Sequence, residues 1–287
     1  MKYPLILSHI YKERVWGGSR LVPDAAPPIG EDWVLSVRED DNSVITNGAH
    51  KGSTLSEIIK PKGKFPLLIK FIDSKETLSI QVHPDDETAA RMGGEGGKSE
   101  MWYIIDALPD SYIYLGMKDD VDIEAFGKIV RNGADPTPYL NKMPVRAGDC
   151  YFIPAGTPHA IGGGNYICEV QQNCDTTFRM YDYGRPRELH LKEAAESLRK
   201  LALPAPTTSA LLAECEYFRA ELLELDGPLQ ISAKSDGFIS LTLVSGEASI
   251  SAGGESYRLS DRDSVYIPEG EEKYLLEGRA KLIRTTI

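Results

Sequence analysis

A strand-like segment followed by a Pro-x-Gly turn occurs twice in this 287-residue chain. Gly148 to His159 and Arg262 to Lys273 align with no gap, with Pro154 matching Pro268 and Gly156 matching Gly270. Glycine supplies the permissive backbone angles that a tight turn of this kind requires, and the chain leaves the turn with its last side chain directed into a barrel. A duplicated turn of this type calls for two β units. The copies differ at their final position, which is His159 in the first and Lys273 in the second. A protonated amine repels a cation, so metal chemistry is expected in the first unit alone. Histidine usage agrees: the chain has only five, and none follows His190.

The rest of the chain has the rhythm of a mostly β protein, with short runs rich in Val, Ile, Tyr and Phe punctuated by Gly and Pro. Strands are expected over 33–37, 66–72, 78–83, 100–105 and 166–171, and again over 217–225, 229–233, 237–244, 248–252, 264–267 and 281–285. Helical periodicity is confined to 54–60, 121–131 and 191–201. Asp85-Asp86-Glu87 reads as a solvated face or a helix start. Two prolines within Leu203 to Ser209 suit a linker, so the chain is read as two domains, 1–202 with the metal site and helical insertions, and 203–287 without metal ligands.

Composition narrows the function. A 41% hydrophobic share beside 26% charge is too apolar for a disordered chain. A net charge of −11 disfavours nucleic acid as a partner, because a phosphate backbone needs a dominant basic field. No apolar run approaches the roughly 18 to 20 residues of a membrane helix, and the first nine residues turn polar too soon for a signal peptide. A cytoplasmic protein with no membrane partner is expected. Cys150, Cys168, Cys174 and Cys215 contain no Cys-x-x-Cys pair and are read as reduced thiols.

In Gln81-Val82-His83, residues 81 and 83 share a strand face, because strand side chains alternate. Glu100 opens another strand and His159 leaves the first Pro-x-Gly turn. Two imidazoles, one carboxylate and one amide oxygen suit one zinc ion per chain, with manganese, iron or cobalt as possible substitutes. His9, His50 and His190 are read as structural. Lys98, two residues before Glu100, faces the same cavity on an extended chain.

The first turn motif resembles the second signature of the cupin superfamily, departing from it only at Gly163, where asparagine is usual. The resemblance implies a mostly β double cupin, two jelly-roll barrels with a few short helices. Gln81 to Pro84, Gly97 to Tyr103, Pro154 to Ala160, Glu169 to Gln171 and Arg179 to Tyr183, with Val15 to Gly18 and Glu31 to Ser36, together resemble the type I mannose-6-phosphate isomerases of the short bacterial branch. That resemblance implies metal ligands at Gln81, His83, Glu100 and His159, an active-site arginine at Arg179, and interconversion of mannose 6-phosphate and fructose 6-phosphate through an enediol. Lys98 and Arg179 are the candidate catalytic residues, and Lys98, Ser99, Glu169 and Arg179 the candidate substrate contacts. The general base is open among Lys98, Glu169 and metal-bound water. Competing readings are a cupin dioxygenase and a non-catalytic sugar-phosphate-binding cupin. A monomer or homodimer is expected.

Overall fold

The computed structural model describes residues 3–234 and 237–287, and it is mostly β with a few short helices. The chain divides into two compact units. One gathers Met1–Lys12, Asp32–Phe71 and Thr208–Ile287, and the other Glu13–Glu31 and Ile72–Thr207.

In the first unit an eight-stranded sheet runs in the order Leu5–Ile6, Ser264–Pro268, Phe238–Ala252, Tyr274–Thr286, Arg219–Asp226 and Leu211–Glu214, with Leu229–Ile231 and Glu255–Leu259 pairing beside this path. The runs expected at 237–244 and 248–252 form one strand, Phe238–Ala252, which continues through Gly246. Gly246 has a φ of +85°, and a Cβ there would lie 2.8 Å from Cα of Ala280, so only glycine lets the strand bend without breaking. Alternate residues Ile239, Leu241 and Leu243 pack with Val265, Ile267, Leu276 and Leu282 in the core of this unit.

The second unit contains a five-stranded antiparallel sheet in the order Phe178–Tyr181, Ile80–Val82, His159–Ile161, Tyr112–Met117 and Leu140–Pro144. Glu100–Ala107 lies between Asn165–Gln172 and Cys150–Ile153 in a six-stranded sheet. Trp102, Ile104, Ile153 and Ile167 of this sheet pack against Ile113, Leu115 and Ile161 of the other, so the two sheets face each other across one core. The opposite face of the five-stranded sheet is covered by helices. Ile80, Val82, Ala160 and Met180 pack there on Phe126 and Val130 of helix Ile123–Arg131 and Ala194 of helix Leu191–Ser197. Ile123, Phe126 and Val130 are spaced three and four apart, which puts them on one helical face.

Helix starts follow local chemistry. Thr54 and Glu57 form a reciprocal capping box, and the Asp122 side chain accepts from the Ala125 amide. Asp85 likewise accepts from the Thr88 amide and opens helix Asp86–Arg91, so the acidic run is a helix start.

Candidate metal centre

Strand parity aims the site. Ile80 and Val82 lie under the helices, so Gln81 between them faces the sandwich interior. Ala160 and Met180 lie under the helices too, which turns His159 and Arg179 to the same interior face as Gln81. His159 and Arg179 are the cross-strand partners of Gln81 on its two sides, so His159, Gln81 and Arg179 form a row across three strands. On the facing sheet Trp102 and Ile104 are interior, and Glu100 shares their parity.

The turn locks this arrangement. The amide of Gly156 donates to the His83 carbonyl at 2.7 Å, tying the first signature turn to a candidate ligand. Gly156 has a φ of +87°, and a Cβ there would run into the Arg199 side chain.

His83, Glu100 and His159 are buried, with ligand atoms within 4.8 Å of one another. Nε2 of His83 lies 3.4 Å from Oε2 of Glu100, and Nε2 of His159 lies 3.4 Å from Oε1. Each imidazole is oriented from behind, since Nδ1–H of His83 donates to the Thr176 carbonyl at 2.9 Å and that of His159 to Thr157 at 2.8 Å. Those bonds leave the Nε2 lone pairs facing Glu100, the tautomer a metal requires. Oε1 of Glu100 is buried and receives no hydrogen bond from any of the described residues. Gln81 completes the set with its amide 3.3 Å from Nε2 of His159, and a half-turn of that amide presents its oxygen. Two lone pairs, an undonated carboxylate oxygen and an amide converging in a buried space fit a divalent cation.

The electrostatics agree. Burial, then the Lys98 ammonium, pushes the His83 imidazolium pKa down to about 3, and burial also lowers that of His159. Both rings are therefore neutral donors near neutrality. Burial pulls the Glu100 pKa upward, but the Lys98 ammonium beside it outweighs burial and holds the carboxyl well below its usual range.

Lys98 is itself buried, donating to Oε2 of Glu100 at 2.6 Å and to Nε2 of His83 at 2.9 Å, with Oε1 of Glu169 at 3.9 Å. Oε2 of Glu169 accepts from the Trp102 indole at 2.8 Å. Ser99 is held from two sides, its amide donating to Oε1 of Gln172 and its hydroxyl accepting from the Ala155 amide. Arg179 donates from Nη1 to the Glu188 carbonyl at 2.6 Å, and its own amide donates to Nδ1 of His190. Arg185 and Arg187 instead both bond Asp182. His9 pairs with Asp32, and the His50 ring stacks on Tyr3. Lys273 is exposed.

Sequence reading passed over two residues. Thr157 supplies the carbonyl behind His159, and Gln171 is the cross-strand partner of Glu100. The Glu169-Val170-Gln171 alternation, which puts 169 and 171 on one face, was the available signal for the second.

Two facing sheets with a buried His-Glu-His cluster, one imidazole arising from the Pro-x-Gly turn, define a metal-binding cupin. The family model for the phosphomannose isomerase type I catalytic domain matches residues 5–107, and that for the mannose-6-phosphate isomerase cupin domain matches residues 207–287. Mannose-6-phosphate isomerase ManA of Bacillus subtilis is 34% identical, with 98% of each chain covered. The mannose-6-phosphate isomerase of Streptococcus mutans is 31% identical, covering 99% of this chain and 98% of that one. A crystal structure of the mannose 6-phosphate isomerase from Bacillus subtilis superposes with a TM-score of 0.89 at 28% identity, covering 99% of both chains. The chain belongs to the type I mannose-6-phosphate isomerase family.

Proposed function

We propose that this chain interconverts mannose 6-phosphate and fructose 6-phosphate in the cytoplasm, with one zinc ion held by Gln81, His83, Glu100 and His159. The buried His83–Glu100–His159 cluster with the Lys98 ammonium against it carries the reading. All four ligands belong to the unit containing Ile72–Thr207, which is the catalytic one. Family membership favours neither the dioxygenase nor the non-catalytic alternative.

Aldose-to-ketose conversion takes a proton from C2 and returns one to C1, while O2 gives up its proton and O1 gains one. A metal in this donor set supplies Lewis-acid polarisation of the sugar carbonyl and its neighbouring oxygen. The remaining work belongs to the chain. Lys98 and Glu169, 3.9 Å apart in a buried space, are the groups that handle these protons. The indole of Trp102 fixes the orientation of Glu169. Arg179 is permanently charged and held by the Glu188 carbonyl, and it stabilises the developing enediolate from the Gln81 side of the site.

A coupled assay on mannose 6-phosphate, run with and without chelator and beside elemental analysis, tests this. Chelator-sensitive turnover restored by zinc is expected. A metal-replete protein that fails to isomerise the sugar phosphate would sink the proposal.

A further inference from the structure

Gln171 is fully buried on the strand beside Glu100, and its side chain is committed in one direction. Both hydrogens of its amide are used: Nε2 donates to the Gln172 carbonyl at 2.8 Å and to the Cys174 carbonyl at 2.7 Å. Two carbonyl partners fix which atom is nitrogen, since a flipped amide would set oxygen against oxygen. Oε1 is left as a buried acceptor that receives no hydrogen bond from any of the described residues. Parity says which way it faces. Ile167 packs in the core between the sheets and Glu169 meets the interior Trp102, so Gln171, two residues further on, projects to the same interior face.

Native structures rarely leave such an oxygen unmet, and an exception beside a reactive site points to a missing donor. None of the described side-chain donors of the site bonds this oxygen. Lys98 bonds Glu100 and His83, and the Trp102 indole bonds Glu169. Resting on the isomerase reading above, we infer that Gln171 is a further substrate-binding residue, whose Oε1 accepts a hydrogen bond from one hydroxyl of the open-chain sugar phosphate. The oxygens on C1 and C2 take part in the reaction, so the partner is the hydroxyl on C3, C4 or C5. Because the amide cannot rotate without losing two bonds, it accepts and does not donate. That property selects a hydroxyl and turns away a carboxylate or a second phosphate oxygen at the same place. A site built around a sugar hydroxyl discriminates strongly against the analogue lacking it.

The test compares wild type with Gln171→Met on mannose 6-phosphate and on its 3-deoxy, 4-deoxy and 5-deoxy counterparts, with metal content measured on each protein. The variant is expected to keep its metal and to lose about tenfold or more in kcat/KM on the parent sugar, as befits one lost hydrogen bond. On one deoxy analogue the same substitution costs less than about threefold, because the partner hydroxyl is already absent. An equal loss on all four sugars, or loss of the metal, overturns the inference and leaves Gln171 a support for the 172–174 turn. Thermal melts show whether the Met variant folds, and Gln171→Leu repeats the comparison with a second apolar side chain. Whichever variant folds is expected to lose least on that same analogue, and an equal loss on all four sugars overturns the inference. No turnover by metal-replete wild type refutes the isomerase reading and this inference with it. Turnover by wild type without a hydroxyl-specific loss in the variants refutes this inference alone.

Discussion

The ammonium of Lys98 lies 2.6 Å from Oε2 of Glu100, two residues along the chain, with both groups buried. Neither charge has water to fall back on, so each depends on the other, and Glu100 depends also on whatever cation the site binds.

Replacing Lys98 with methionine separates these dependences. The metal-loaded variant is expected to keep its ion and lose roughly 100-fold or more in kcat, the usual size of a lost proton-transfer group. The metal-free variant leaves the Glu100 charge buried and uncompensated, and it is expected to lose about 3 to 5 kcal/mol of stability relative to metal-free wild type. Denaturant melts with and without chelator read the difference. Equal loss in both forms would show that the pair does not compensate Glu100 in the way described.

The two copies of the turn predict opposite outcomes. His159→Ala is expected to abolish bound metal and activity together, because His159 supplies one of the two oriented lone pairs. Lys273→Ala, at the equivalent exposed position, is expected to leave metal content unchanged. Elemental analysis of the two variants decides, and metal lost only from the Lys273 variant would reverse the assignment.

Gly156→Ala tests the turn itself. The new methyl group meets the Arg199 side chain and sits 3.1 Å from the Ser197 carbonyl, at a φ of +87°. A cost of about 1 to 3 kcal/mol is expected from the backbone strain. Metal affinity falls as well, since the same residue's amide bonds the carbonyl of His83. Unchanged melting and unchanged metal titration would contradict both points.

Arg179→Lys is expected to spare metal binding and lower turnover by roughly tenfold or more, because an ammonium cannot hold the Glu188 carbonyl and a sugar oxygen with one planar fork. Steady-state kinetics on a variant of known metal content check this. Near-normal kcat/KM would remove Arg179 from the mechanism.

His9 gives the unit that contains Thr208–Ile287 a pH dependence of its own. Burial alone would lower its pKa, but bonds to Asp263 and Asp32 outweigh it and raise it from 6.5 to about 9. A folded-state pKa above the unfolded one favours folding fully below about pH 6.5, and the contribution is lost as pH rises through about 9. The ring is 24% exposed, so solvent screening trims the effect to on the order of 1 to 2 kcal/mol. Thermal melts of wild type and His9→Gln between pH 6 and 10 are expected to converge at the alkaline end. A gap that stays constant across that range would contradict it.

Much of the candidate site is legible because its signals are local. Gln81 and His83 declare themselves through strand alternation, His159 through a turn that only glycine permits, and Lys98 through its spacing from Glu100. Helix starts at Thr54, Asp85 and Asp122 are likewise written in a few adjacent residues. The extent of Phe238–Ala252 was not, since a glycine interrupting a β pattern reads equally well as a turn or a bend until a partner strand is laid beside it.

The sequence alone determined that the chain is mostly β with one histidine-bearing Pro-x-Gly turn, and which residue types stand ready to hold a metal, because strand period, turn chemistry and ligand type are properties of neighbouring residues. Tertiary structure alone decided the row of His159, Gln81 and Arg179, the bracing of His83 by Thr176, and the placement of Gln171 opposite Glu100. Those pairings join strands and loops from 71 to 98 positions apart, and register between distant segments is set by which apolar faces bury together in the assembled sandwich.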